Sequence, residues 1–250
     1  MPLKKSTRFI AAACISLMAM SSAARAEDKP SIAPRAERIL KAAIGNLLAS
    51  KSFMLRGEVT TEKELPGVLR VEYAGTVQAA VRRPDRIWTR VEGEEGQKSN
   101  WYDGKTFTHF NAGNNAYASW PAPPTTDELV DKIKEKLGFA PPLSNMMRQD
   151  LEKEVFAGIQ SGFYIGEAVV RGSACSHLAF KQETIDWQIW VDNVVPVIRR
   201  LAITYKKLPG APQFTVTFTD WDLNATLPDS VFVFDPPKGA TRVEFEIVKP

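Results

Sequence analysis

The chain has 250 residues, 44% hydrophobic and 24% charged, with a formal charge of +3 and two cysteines. That near-neutral balance gives no electrostatic footprint for nucleic acid, and Lys4, Lys5, Arg8 and Arg25 supply the whole excess. These four cations belong to a leader: three of them precede an apolar run from Phe9 to Met20, which ends near Ala24-Arg25-Ala26, the A-x-A form of a cleavage site.

The expected organisation is a signal peptide over 1–26 and a mature chain over 27–250, exported to the periplasm. The apolar run is too short to cross a bilayer comfortably, and no membrane span is expected in the mature chain. Cys14 sits too close to the basic residues for a lipoprotein signal. Without the leader the formal charge is −1 and only Cys175 remains, which excludes an intramolecular disulfide. The remaining 224 residues suffice for one domain that buries about 70% of its extended-chain surface.

Pro34 suits a first helical turn, and Ile39, Leu40, Ala43, Ile44, Leu47 and Leu48 form a stripe at helical spacing. Phe53 to Thr61 alternates as a strand, Leu65-Pro66-Gly67 turns, and Val68 to Arg82 alternates again with Val77, Ala79 and Val81 on one side. Arg86 to Glu92 is a further strand, ended by Gly93-Glu-Glu-Gly96. Asp103-Gly104 centres a hairpin between Asn100 and Phe110, and Tyr117 to Trp120 adds a short strand. Thr125-Thr-Asp-Glu128 matches a capping box, so a helix is predicted from there to Gly138, with Leu129, Ile133 and Leu137 on one face. Pro141-Pro142 opens a second helix carrying Leu143, Met146, Met147, Leu151 and Val155. This helical pair, 126–157, stands between two blocks of strands. The second block holds Phe163–Arg171, Asp186–Asp192, Val197–Tyr205 and Gln213–Trp221. The fold class is α+β, in one domain.

No H-E-x-x-H, G-x-S-x-G, P-loop or dinucleotide glycine fingerprint is present, and no cofactor or metal is called for. Cys175 and His177 share a face of one strand, which could begin a nucleophile–base pair. A buried thiol beside a structural histidine is the favoured reading, because no nucleophile motif surrounds the cysteine. Glu92, Glu94 and Glu95 read as a solvated hairpin tip, and Asp186 with Asp192 has nothing else to mark an acid/base pair. Trp187 and Trp190 lie on opposite faces of a strand, so one ring needs a cover outside the main core.

Three segments in order carry a resemblance: Val81-Arg-Arg-Pro-Asp-Arg-Ile-Trp88, Trp101-Tyr-Asp-Gly-Lys-Thr-Phe107 and Phe232-Val-Phe-Asp-Pro-Pro-Lys-Gly-Ala240. Asn115-Ala-Tyr117, Cys175-Ser-His-Leu178, Trp187-Gln-Ile-Trp190 and Phe214-Thr-Val-Thr-Phe218 extend it over nearly all the mature chain. The sequence resembles a family of predicted periplasmic proteins of unknown function, related to the LolA/LolB lipoprotein carriers. That resemblance implies a strongly curved antiparallel sheet, an incomplete β-barrel, wrapped around the N-terminal helix and the inserted helical pair. It also implies a hollow for acyl chains under a helical lid. No ligand residue carries over from the carriers.

The expected function is therefore a non-enzymatic periplasmic carrier for a lipid or a lipidated protein, with an apolar cavity under 126–157. The candidate lining is Leu129, Ile133, Met146, Met147 and Leu151 from the lid, with Trp187, Phe214, Val216 and Phe218 from the sheet. The same residues would serve a filled core. The rival function is an interaction or stress-sensing module that docks an envelope protein.

Overall fold

The computed structural model describes residues 31–65, 69–138 and 140–244. The leader over 1–26 and the turn at Pro66-Gly67 lie outside the described residues. In chain order the elements are β1 (Ser31–Ile32), α1 (Pro34–Ala49), β2 (Ser52–Leu65), β3 (Leu69–Arg82), β4 (Arg86–Gly93), β5 (Gly96–Tyr102), β6 (Thr106–Asn111) and β7 (Ala116–Pro121). There follow α2 (Thr126–Leu137), a 3₁₀ turn (Ser144–Met147), α3 (Leu151–Ala157), β8 (Ser161–Val170), β9 (Ser173–Lys181), β10 (Ile185–Asp192), β11 (Ile198–Tyr205) and β12 (Gln213–Asp222). A second 3₁₀ turn (Asp229–Phe232) and β13 (Thr241–Arg242) close the series.

Among the described residues, all thirteen strands form one curved, unclosed sheet in the order β1-β8-β9-β10-β11-β12-β2-β3-β4-β5-β6-β7-β13. Neighbours are antiparallel, except that the short end strands β1 and β13 run parallel to β8 and β7. The two strand blocks join where β12 pairs with β2, with Val216 opposite Val59. Period two then divides every strand between an inner, core-bearing face and an outer face.

Leu40, Ala43, Ile44 and Leu47 of α1 enter one core cluster with Phe180, Trp187, Ile189, Val216 and Phe218. The apolar stripe thus covers the half of the sheet built from β8 to β12. Thr125 caps α2: its Oγ1 accepts from the Glu128 N–H at 3.3 Å. The helix stops at Gly138, whose φ of 79° is the left-handed cap geometry that glycine adopts without strain.

The expected continuous second helix from Pro141 is not formed. It is broken into the 3₁₀ turn and α3, with Leu143 at φ 66° and Arg148 extended. Arg148 is the reason. The residue is 2% exposed, and its guanidinium bonds Asp131 of α2 at 2.5 Å and both carboxylate oxygens of Asp150 at 2.6 and 3.0 Å. Burying that charge with its partners outweighs the local helical preference, because an unpaired buried cation costs several kcal/mol.

The Phe232-Val-Phe-Asp-Pro-Pro segment crosses the outer face as a strap. Phe232 is buried against Ala80, Ala225 and Leu227, beside Met54 and Trp88. The Phe234 ring lies 4.9 Å from Trp101 and 5.0 Å from Tyr117. Several tryptophans therefore have outer-face or core roles. On β10, Trp187 stacks on Phe180 in the core, whereas Trp190 stacks on His177 outside at 4.2 Å.

Candidate functional site: a cavity under the inserted segment

α1 does not reach across the inner face of β2 to β7. That half is roofed by α2 and by residues 141–147, and the roof does not fill the space beneath it. A cavity of about 480 Å³ remains, within the roughly 300–1,000 Å³ of ordinary ligand pockets.

Its floor is the inner face of the long hairpin, with Phe53, Leu55 and Val59 of β2 and Val77, Ala79 and Val81 of β3. Ile87 of β4, Phe107 of β6 and Trp120 of β7 continue it. The roof is Leu129, Ile133 and Leu137 of α2, then Pro141, Pro142, Leu143, Met146 and Met147. The wall is overwhelmingly apolar.

Of the residues expected to line a cavity, Leu129, Ile133, Met146, Met147 and Phe214 do so. Leu151, Trp187, Val216 and Phe218 are not in its wall. They pack instead in the adjoining core beneath α1. The physical reason is the division of labour between helices, since α1 fills the β8–β12 half and leaves the space on the other side. The floor residues of β2 to β6 were absent from the expected lining. Their signal was the alternation of Val77, Ala79 and Val81, which marks a face without saying which helix covers it.

The roof is fastened at the Arg83-Pro84 step, a cis peptide. Arg83 donates to the carbonyls of Leu47 (3.3 Å) and Ser50 (2.7 Å) at the end of α1, and to Met146 O at 3.0 Å. Pro84 O accepts from the Thr126 N–H at 2.7 Å, at the start of α2. Burial holds the Arg83 pKa below its ordinary value. One residue pair thus ties α1, the 3₁₀ turn and α2 to the end of β3. Arg148 makes the second fastening, to Asp131 within α2, and its own carbonyl accepts from Arg83 at 3.4 Å. Burial opposes its charge, but hydrogen bonds to Asp150 and Asp131 prevail and hold its pKa above the ordinary arginine value.

One polar band crosses the floor. His109 Nδ1 meets Asn100 Oδ1 at 2.8 Å, and Asn100 Nδ2 donates to Thr89 Oγ1 at 2.9 Å. The three residues are direct cross-strand partners on β6, β5 and β4, and all three face the cavity. Burial, with a smaller contribution from Lys98, lowers the His109 pKa and favours the neutral ring.

The other chemical candidates have structural explanations. Cys175 is fully buried, and burial raises its pKa; its thiol donates to Ser173 O at 3.4 Å. His177 instead bonds Gln188 through Nε2 at 2.9 Å, so thiol and imidazole do not form a pair. Asp192 accepts from the N–H groups of Val194 and Val195 and from Arg199, and closes a turn. Asp186 pairs with Lys206 at 2.9 Å. At the hairpin tip Glu94 accepts from Ala74 N–H and Glu95 pairs with Lys63. Among the described residues no cluster of His, Cys, Asp or Glu is arranged to hold a metal, and no helix is long and apolar enough to cross a membrane.

Comparison with protein families gives a match over residues 36–246 to a family described as predicted periplasmic protein, DUF2092. The chain belongs to the DUF2092 family. Comparison of this DUF2092 protein with curated proteins gives no match. Among solved structures, it is similar to the Mycobacterium tuberculosis lipoprotein LppX, with 11% identity, a TM-score of 0.50, and coverage of 78% of this chain and 99% of that one. It is also similar to LprF from Mycobacterium bovis (13% identity, TM-score 0.48, 79% and 98% covered). The LolA superfamily protein NE2245 from Nitrosomonas europaea matches at 13% identity and a TM-score of 0.38, with 80% and 97% covered. At these identities the likeness to LppX concerns the fold.

Proposed function

We propose that this DUF2092 protein is a non-enzymatic periplasmic carrier that buries the acyl part of a lipid or lipidated protein beneath α2 and residues 141–147. In this reading a signal peptide over 1–26 directs export, and residues 27–250 act as one LolA-like domain. Its incomplete barrel wraps the helices, and the roof serves as a lid. The observation that carries the reading is the apolar cavity of about 480 Å³ between an open sheet and a roof held at two fastenings. Burying ten methylenes there would contribute about 8 kcal/mol before association costs, which corresponds to micromolar binding at best. Such affinity suits handover between partners.

The test is amphiphile titration of the protein and of Ala79→Trp, whose indole would occupy the middle of the floor. The wild type should melt at a temperature that rises with amphiphile concentration, by about 2.7 kcal/mol of stabilisation at a hundred times Kd. Ala79→Trp, checked for native circular dichroism, should lose at least tenfold in affinity. A melting temperature indifferent to every amphiphile tried would overturn the carrier reading and favour a module that docks an envelope protein.

A further inference from the structure

The chemistry of the inner face changes in layers from the bottom of the cavity to its mouth. Pairing across β4, β5 and β6 places Ile87, Tyr102 and Phe107 in one row. Thr89, Asn100 and His109 form the next row, and Val91, Lys98 and Asn111 the third. The first row is buried, the second half-buried, and Val91 and Lys98 of the third are exposed. Successive rows are about 7 Å apart along the strands. The sequence from depth to mouth is apolar, hydrogen-bonding, cationic.

Each layer has unused capacity. In the polar row both ends of the Asn100 amide are engaged. What remains for a guest is the Thr89 hydroxyl hydrogen, the second Nδ2–H and second Oδ1 lone pair of Asn100 and, with Nδ1–H directed to Asn100, the lone pair on His109 Nε2. Lys98 is on the same strand face as Asn100, two residues nearer the mouth. Lys136, near the end of α2, reaches the cavity from the roof. Neither lysine has an ion-pair partner among the described residues, whereas Lys63 on the same rim is neutralised by Glu95. An amphiphile in this cavity therefore meets oily surface first, a hydroxyl-sized polar contact next, and then, towards the opening, two lysines that have no ion-pair partner among the described residues.

Building on the carrier reading, we infer that the cavity takes an anionic amphiphile head-outward. Its acyl chain lies on the floor, a hydroxyl in its linker donates to His109 Nε2, and its anionic head sits between Lys98 and Lys136. A single-chain glycerophosphate lipid has these three groups in this order. A cationic head, or a chain with no polar linker, does not match the layers.

Displacement of a fluorescent fatty-acid probe tests it with three ligands of equal chain length: 1-palmitoyl-lysophosphatidate, 1-palmitoylglycerol and hexadecyltrimethylammonium. The lysophosphatidate should bind roughly tenfold more tightly than the uncharged glyceride at low salt, two partly exposed lysine contacts being modest individually. That advantage should shrink as ionic strength rises. The Lys98→Glu/Lys136→Glu double variant should remove or invert the preference while leaving palmitoylglycerol binding unchanged. His109→Leu should weaken both hydroxyl-bearing ligands by roughly fivefold, the loss of one hydrogen bond, and leave the trimethylammonium compound unaffected. Equal affinities for all three ligands in the wild type, or a preference that survives charge reversal, would overturn the inference while leaving the carrier reading intact. Failure of all three to bind would instead remove the carrier reading beneath it.

Discussion

Replacing Arg148 with methionine is expected to destabilise the protein by about 2–3 kcal/mol, a fall of roughly 4–12 °C in Tm for a chain of this size. Methionine approximates the arginine stem and avoids a large cavity, so the loss isolates the charge. The guanidinium is held between Asp131 on α2 and Asp150 before α3, with Glu154 at 4.0 Å. Removing it leaves carboxylates that can still reach water, since the Asp131 and Asp150 side chains are 59% and 34% exposed. For that reason the cost falls below that of a wholly enclosed pair. The same contacts set a pH dependence. The hydrogen bond from Arg148 holds the Asp150 pKa below its ordinary value. Because the folded pKa is depressed, this contribution is complete above the unfolded carboxylate pKa of about 3.9 and is lost as pH falls through the folded value. Thermal melts between pH 7 and pH 2 should show the wild type and Arg148→Met converging at the acid end. A constant gap across that range would mean that packing, not charge, carries the effect.

Phe232→Ala should cost more, about 3–5 kcal/mol, the usual loss for a buried phenylalanine. Phe232 has no exposed surface and fills the space between the outer face of β2 to β4 and the Ala225–Leu227 stretch. Little rearrangement can close the hole, because Arg82 fixes the strap alongside through Leu227 O at 2.8 Å and through Asp229. Loosening this segment should also expose Trp88 and Trp101, so tryptophan emission should shift to the red before global unfolding. Amphiphile affinity should change little at temperatures where the variant is folded, because strap and cavity lie on opposite faces of the sheet. A variant that melts like the wild type would show that Phe232 contributes only surface packing.

Local signals named most elements correctly because each rests on short-range physics. The alternation of Phe214, Val216 and Phe218 gave β12, Thr125 with Glu128 gave the start of α2, and Gly138 gave its end. Asp103 indeed turns the chain, accepting from the N–H groups of Lys105 and Thr106. The broken second helix was illegible for a related reason. Met146, Met147, Leu151 and Val155 carry helical spacing, but nothing local reveals that Arg148 will be buried beside Asp131, seventeen residues away. The polar band was equally hidden, since Thr89, Asn100 and His109 are unremarkable until three strands align in register.

The sequence by itself determined the strand faces, the helix caps and the position of an inserted helical segment, because these depend on spacings of a few residues. Only the tertiary structure decided which half of the sheet each helix covers, for that depends on β12 pairing with β2 across some 150 residues of chain. This long-range pairing assigns α1 to a filled core and leaves the space under α2 open. The same apolar residues can line either arrangement, and the difference lies in the volume left between the elements, not in the residues.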